Sequence, residues 1–253
     1  MKKLLIGLSL AAVGTSCTES ITPTVFRNVQ VSFSTQPAAP ALASSAGAAL
    51  AQAAFLNDTI VAGTDTLVIT SAELVLREIE LKRIDVSDCD GVVDDDGCEE
   101  FETGPVLVSL PLTPGVETEF ELGIPPGTYS EIEFDIHKVE EEPSDITFLQ
   151  QHPEFEDLSI RVEGTFNGAV FLYESDLGVE QELDLVPPLV IEEGSGNTNI
   201  TIFVDLTAWF RDQASGLIDP ASANTGGQNE SLVEDNIKQS MEAFEDDDRN
   251  GRS

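Results

Sequence analysis

Apolar and polar residues alternate along most of this chain, which is the pattern of β-strands that bury one face. The clearest alternation runs from 117 to 139 and is interrupted by a Pro-Pro-Gly turn at 125–127. Acidic or small residues separate the apolar positions, which are Phe120, Leu122, Ile124, Ile132, Phe134 and Ile136. Two such runs joined by a turn predict a β-hairpin or a tight sheet corner, with one core face and one acidic solvent face.

Comparable apolar runs, separated by turn residues, recur through most of the chain and predict roughly nine or ten strands. They lie at 25–34, 58–61, 67–70, 73–84, 106–112, 159–167, 169–174, 181–191 and 198–210. Helical patterns do not alternate with these runs, as a parallel α/β sheet would require. We therefore predict an all-β fold, an antiparallel β-sandwich spanning residues 25–212.

The C-terminal region, 213–253, changes character and reads as a polar linker, an amphipathic helix and an acidic tail. Its apolar residues fall at helical spacings of four, four and three, at Val233, Ile237, Met241 and Phe244. Ser231 followed by Glu234 has the spacing of a capping box at a helix N-terminus. This pattern predicts one short C-terminal helix over 231–244.

The first residues have the composition of an export signal. Lys2 and Lys3 precede a ten-residue apolar run at 4–13, which is too short to span a bilayer. The following Gly14-Thr15-Ser16-Cys17 resembles a bacterial lipoprotein signal, although Gly14 stands where leucine is usual. The resemblance implies a signal peptide at 1–16, lipidation of Cys17, a tether at 17–24 and a location in the bacterial cell envelope. An ordinary secretory signal with an incidental cysteine is the alternative.

Net charge narrows the classes of partner. The 253 residues include 47 acidic and 12 basic ones, which gives a formal charge of −35. A surface of this sign repels phosphate, so we expect no nucleic-acid partner. The segment 37–54 is rich in alanine and carries no charge, and we interpret it as a surface insertion.

The acidic loop at 85–102 is the first candidate metal site. Cys89 and Cys98 predict one disulfide, since an even pair in an oxidising compartment usually joins. Closely spaced carboxylates in a loop with glycine suit calcium, which takes six to eight oxygen ligands. The loop resembles thrombospondin type-3 and EF-hand calcium loops, but Val86 occupies one ligand position and the EF-hand glycine is missing. A solvated, disulfide-closed loop is the alternative, and the candidate ligands are Asp88, Asp90, Asp94, Asp96 and Glu99.

A second candidate calcium site lies at 246–251, which has the Asp-x-Asp-x-Asn-Gly opening of an EF-hand loop. Asp246, Asp248 and Asn250 are its candidate ligands. The sequence ends at Ser253, before the twelfth loop position, so the remaining ligands would have to come from elsewhere.

The stretch 106–136, centred on Pro125-Pro126-Gly127-Thr128-Tyr129-Ser130-Glu131-Ile132, resembles a family of bacterial surface lipoproteins of unknown function. A later strand ending in Val204-Asp205-Leu206 also fits that family. The resemblance covers about two thirds of the chain and implies an immunoglobulin- or prealbumin-like β-sandwich. It also implies that Tyr129 is a corner residue, with a packed ring and a hydroxyl bonded to the backbone. The family supplies no catalytic residue.

These features together predict a lipid-anchored, non-catalytic binding or structural module, with calcium as a candidate stabilising ion. Its expected partners are the membrane, through Cys17, and an unidentified surface protein or glycan. One alternative is a carbohydrate-active enzyme that uses an Asp/Glu pair. Another is an accessory subunit of a surface complex, for which an apolar patch beside Trp209 would be the sign. We interpret Trp209 itself as closing a core edge rather than stacking on a sugar.

Overall fold

The computed structural model describes residues 26–36, 59–84, 98–101, 104–194 and 198–251. The Ala-rich segment 37–54 lies outside them. The described residues form twelve strands, which confirms the prediction that the chain is mainly β. These are β1 Arg27–Ser34, β2 Thr59–Ala62, β3 Asp65–Arg83, β4 Cys98–Phe101, β5 Val106–Ser109, β6 Glu117–Ile124, β7 Gly127–Ile136, β8 Ile160–Phe166, β9 Ala169–Ser175, β10 Val179–Ile191, β11 Thr198–Val204 and β12 Met241–Glu245.

The helices are few and short. They are α1 Ile146–Gln151, α2 Leu206–Trp209 and α3 Glu230–Lys238, with 3-10 turns at Pro153–Phe155 and Pro220–Ser222. Within the described ranges, no helix has both the length and the apolar character needed to cross a bilayer.

The strands form one mixed, strongly curled sheet in the order β6-β1-β11-β12-β10-β7-β3-β8-β9. Strand β3 is its centre, because β2, β4, β5, β7 and β8 all pair with it. The expected antiparallel arrangement is wrong, since β1 pairs with β11, and β10 with β12, in parallel. Side chains alternate between the two faces in parallel and in antiparallel strands alike, so the alternation in the sequence does not indicate strand direction.

The Pro-Pro-Gly segment is a sheet corner and not a simple hairpin. Strand β6 pairs with β1, whereas β7 pairs with β3 and β10. The predicted alternation is confirmed, because all six apolar positions on the two strands are buried. The Tyr129 ring is buried and its hydroxyl donates to the Pro125 carbonyl oxygen at 2.9 Å, as expected of a corner residue. The hydrogen bond ties the start of β7 to the first residue of the corner, directly after β6.

The predicted helix at 231–244 is only half correct. Helix α3 ends at Lys238, and Met241 to Phe244 belong to strand β12, which pairs along its whole length with β11. Helix α3 begins at Glu230 with Asn229 as its N-cap, so the expected capping box does not form. The spacing of these apolar residues does not distinguish a helix from a helix followed by a strand, because a short strand also buries apolar residues of this type.

Two other predicted boundaries also changed. The strand expected over 198–210 ends at Val204, where the Asp205 carboxylate accepts from the Thr207 amide at 2.9 Å and caps α2. Trp209 then becomes fully buried and donates from Nε1 to the Ser240 hydroxyl at 2.8 Å, which confirms its core role. Part of the acidic loop expected at 85–102 is strand β4, paired with β3.

Strand β8 approaches β3 closely at Gly164. A Cβ built on Gly164 would lie 1.9 Å from the Val68 carbonyl oxygen and 2.9 Å from the Phe171 ring. Both neighbours belong to the strands that flank β8 in the sheet, so neither can move without disturbing the pairing. Glycine is therefore required here by the closeness of the backbones.

We predict that Gly164→Ala lowers the free energy of unfolding by about 1–3 kcal/mol or more, because the added methyl must displace β3 or Phe171. Gly178→Ala is the matched control, since its Cβ would have Lys138 Cβ at 3.9 Å as its nearest neighbour. Urea unfolding of both variants measures the effect. Equal stability of the two variants would contradict the close approach.

Candidate cation site

Most of the site residues predicted from the sequence lie outside the described ranges. These are Cys17, the predicted lipidation site, and Asp88, Cys89, Asp90, Asp94 and Asp96 of the acidic loop. Cys98 and Glu99 open strand β4, where Cys98 is opposite Lys82 and Glu99 opposite Leu81. The disulfide and the loop calcium site therefore stay predictions.

The C-terminal loop is described, and Asp246 is its organising residue. Its side chain is buried and accepts from the Thr201 hydroxyl at 2.9 Å, the Asn250 amide at 2.9 Å and the Gly251 amide at 2.8 Å. Asp248 accepts from the Asn250 side chain at 2.8 Å. The loop thus has a role without an ion, which is to dock the chain end against β11. Calcium at this loop remains a prediction.

A different group of carboxylates meets at one point of the structure. Asp176, Glu230 and Glu234 each place one oxygen within 4.8 Å of the other two, and all three side chains are half-buried. We call this group the carboxylate cluster. Asp176 directly follows β9, and the two glutamates lie one turn apart on the same face of α3. The cluster therefore joins helix α3 to the end of the sheet.

Neighbouring groups hold each carboxylate in place. The Thr225 hydroxyl donates to Asp176 at 2.9 Å, the Gly226 amide donates to Glu230 at 3.0 Å, and the Ser175 hydroxyl donates to Glu234 at 3.2 Å. Lys138 Nζ lies 3.8 Å from Asp176 and is shared with Glu140 and Asp157. Lys238 acts on Glu234 but is paired with Asp235, so among the described residues both ammonium groups are shared with carboxylates outside the cluster. They therefore compensate the negative charge of the cluster only in part.

Electrostatic strain is evident at Glu234. Burial raises its pKa above the ordinary value, and the charges of Glu230 and Asp176 raise it further, against the opposing effects of Ser175 and Lys238. Both raising effects come from a carboxylate that is removed from water and placed beside like charges. A bound cation would reverse this balance.

Tyr173 gives a second indication that this site suits a ligand. Its side chain is fully buried, and within the described residues its hydroxyl has no hydrogen-bond partner. Tyr173 and Ser175 lie two positions apart on the buried face of β9, and Ser175 donates to Glu234 of the cluster. Burial raises the pKa of the Tyr173 phenol, the nearby Ser175 hydroxyl lowers it, and the charges of Glu234, Glu230 and Asp176 raise it further. A buried, unpaired hydroxyl is costly unless a ligand or water meets it.

The donor set selects the kind of ion. Carboxylates and hydroxyls offer oxygen ligands, whereas the cluster contains neither the imidazole nor the thiolate that zinc prefers. Oxygen donors favour the hard cations calcium and magnesium, and calcium tolerates the irregular geometry of a partly exposed site. The cluster is thus suited to calcium.

The sequence contained a weak signal for this site. Glu230 and Glu234 have the i, i+4 spacing that places both on one helix face, but Glu234 also has the spacing of a capping box with Ser231. Asp176 lies 54 positions before Glu230, and with 47 acidic residues no distant pairing could be preferred. Only the packing of α3 against β9 selects these three.

A second acidic group lies on the outer sheet face. Lys82 Nζ donates to Glu131 and Glu133 at 2.8 Å each. Glu133 is opposite Glu182 of β10 and Glu80 of β3 in the strand register. Burial, together with the hydrogen bond to Glu131, raises the pKa of Glu133 to about 7. That bond in turn lowers the pKa of Glu131, so one lysine and one shared proton hold the pair together.

A serine, a histidine and an aspartate also meet near α1. The Asp145 carboxylate is buried, lies 2.8 Å from His137 Nε2 and accepts from the Ser144 hydroxyl at 2.9 Å. Burial acts to raise its pKa, but hydrogen bonds from the Glu140 amide, His137 and Ser144 outweigh burial and lower it. In a nucleophilic triad the serine would bond to the histidine. Here the aspartate is the centre, which fixes the turn before α1.

Comparison of the chain with protein-family models, curated proteins and solved structures finds no match.

We predict that Glu133→Gln stabilises the protein most above pH 7. The folded-state pKa of Glu133, about 7, lies above the value of 4.5 for a free glutamate, so the folded state binds the proton more tightly between these values. The protonated Glu133 carboxyl therefore stabilises the folded state fully below pH 4.5, and this contribution is lost as the pH rises through about 7. Urea unfolding at pH 5, 6, 7 and 8 should show the difference from the parent protein growing with pH.

The exposed Glu242→Gln is the control for removing one negative charge from an acidic chain. A Glu133→Gln difference that stays constant from pH 5 to 8 would contradict the raised pKa.

Proposed function

We propose that this protein is a non-catalytic, membrane-anchored envelope module that binds calcium through Asp176, Glu230 and Glu234. The observation that carries the proposal is the convergence of three half-buried carboxylates, one of which accepts from Ser175 on the face of β9 that also carries Tyr173. The buried Tyr173 hydroxyl has no hydrogen-bond partner among the described residues. Calcium would supply the positive charge that the cluster lacks. Its role would be structural, because the cluster joins the C-terminal helix to the end of the sheet.

The charge of the whole chain supports such a role. A formal charge of −35 opposes compaction, and a divalent ion that binds only the folded state offsets this repulsion locally. Extracellular calcium modules commonly work with weak sites, which suits half-buried ligands in contact with solvent.

The anchor and the finer fold belong to the same proposal. Cys17 would carry the lipid and hold the module at the envelope membrane, with an unidentified surface protein or glycan as partner. We further propose the immunoglobulin- or prealbumin-like sandwich of the lipoprotein family that the sequence resembles. In support, one continuous apolar core joins side chains from β1 and β11 with others from β3, β7 and β8.

We predict that calcium raises the Tm of the soluble form, residues 18–253, relative to excess chelator. Binding at 100 times Kd adds about 2.7 kcal/mol, or a rise of about 5–10 °C for a domain of this size. Magnesium at equal ionic strength is the control for screening, and Glu242→Gln is the control for charge.

Two variants locate the ion. Glu230→Gln with Glu234→Gln should abolish the calcium response, whereas replacing Asp90, Asp94 and Asp96 by asparagine should leave it. If only the second variant loses the response, calcium binds the acidic loop and not the carboxylate cluster. An equal response to calcium and magnesium would contradict a specific site.

We predict that Cys17→Ser abolishes lipid attachment when the full chain is expressed in a bacterial host. The parent protein should incorporate labelled palmitate and partition with membranes, whereas the variant should do neither, because the thiol is the attachment point. Cys98→Ser is the matched control and should keep the label. Label retained in Cys17→Ser would contradict the anchor.

A further inference from the structure

Strand β9 is an end of the sheet, and a loop covers its outer edge. The Asn224 side chain donates to the Leu172 carbonyl oxygen at 3.2 Å and accepts from the Glu174 amide at 2.9 Å. The Thr225 amide donates to the Glu174 carbonyl oxygen at 3.3 Å. Residues 220–226 thereby occupy backbone groups that a further strand would otherwise use. We call residues 220–226 the edge loop.

This edge needs a cover because its side chains do not protect it. Exposed edge strands are usually protected by charged residues. Strand β6, at the other end of the sheet, carries Glu117, Glu119 and Glu121, whereas Val170 on β9 is 87% exposed and Leu172 is 36% exposed. Residues 169–173 are Ala-Val-Phe-Leu-Tyr and contain no charge. The edge loop covers the half of β9 nearer its C-terminus.

The carboxylate cluster holds the same loop. Asp176 accepts from the Thr225 hydroxyl, and Glu230 accepts from the Gly226 amide. The loop therefore lies between two of the proposed calcium ligands, with α3 and Glu234 following it in the chain. Any force that separates the three carboxylates also pulls the edge loop away from β9.

We propose that calcium closes the edge loop and helix α3 over strand β9, so that the ion controls access to this edge. The inference rests on the proposed function, because it concerns the same calcium site. With the ion bound, Asp176 is held to Glu230 and Glu234, and the hydrogen bonds of Asn224 and Thr225 stay intact. Without it, repulsion between the carboxylates and the unmet Tyr173 hydroxyl favour local opening of residues 220–238, while the rest of the sheet stays folded.

Thermodynamic linkage makes this coupling measurable at a residue that does not touch the ion. If calcium binds the closed form, its apparent Kd equals the intrinsic Kd divided by the closed fraction, so a change that lowers the closed fraction raises the Kd in proportion. Asn224 is suited to this test, because its side-chain bonds are to β9 and not to the carboxylate cluster.

The first experiment measures hydrogen exchange of the soluble form with calcium and with excess chelator. Removal of calcium should speed exchange at the Glu174, Thr225 and Gly226 amides about tenfold or more, with little change at β1, β3 and β7. The double variant Glu230→Gln, Glu234→Gln keeps the hydrogen-bond acceptors but removes the repulsion. Its edge loop should stay protected with or without calcium.

The second experiment measures calcium affinity by titration calorimetry. Asn224→Ala should raise the Kd about fivefold or more, in the range usual for coupled sites. Gln151→Ala is the matched control, since it removes an exposed amide that donates to the Thr147 carbonyl oxygen on α1. Its Kd should equal that of the parent protein.

The outcomes separate the two proposals. A parent protein that binds no calcium overturns both the proposed function and the closure. Calcium binding with unchanged exchange at the edge loop, or with equal Kd in Asn224→Ala and the parent, overturns the closure alone. If Asn224→Ala fails to fold, the exchange of the parent protein and of the glutamine double variant decides the question.

Discussion

Repulsion between carboxylates acts across this whole fold, because 47 acidic side chains share the chain with only 12 basic ones. A sheet can tolerate such a surface when the acidic residues occupy one face of each strand and the apolar residues occupy the other. Strand β7 shows the arrangement, with Ile132, Phe134 and Ile136 in the core and Glu131 and Glu133 outside. The core then supplies the favourable free energy of folding, and the outer face has to limit its own repulsion.

Where carboxylates are crowded or buried, specific side chains or backbone amides donate hydrogen bonds to them. Lys82 bridges Glu131 and Glu133, Asp246 accepts from three donors, and Asp145 is met by His137 and Ser144. These contacts also dock elements, because Asp246 fixes the chain end to β11 and Asp145 fixes the turn before α1. Compensation of charge and assembly of the fold are therefore the same interactions in this protein.

The carboxylate cluster differs from these cases. Its donors are two hydroxyls and one backbone amide, with two lysines that are shared with carboxylates outside the cluster, and the buried Tyr173 hydroxyl is unpaired within the described residues. A divalent ion is the simplest compensation for such a group. Its position also matters, since Asp176 and α3 flank the loop that covers β9. A single ion there would act on local charge and on edge protection together.

The sequence by itself determined which residues face the core and where the sheet turns a corner, because alternation and Pro-Pro-Gly act over a few residues. Phe120, Ile132 and Tyr129 are buried as their positions predict. The sequence did not determine the direction of the strands or that Met241–Phe244 form a strand and not a helix. It also did not determine that Asp176 lies beside Glu230 and Glu234. Each of these depends on which distant segments pack together. Local patterns are the same for either outcome, so only the tertiary structure could decide them.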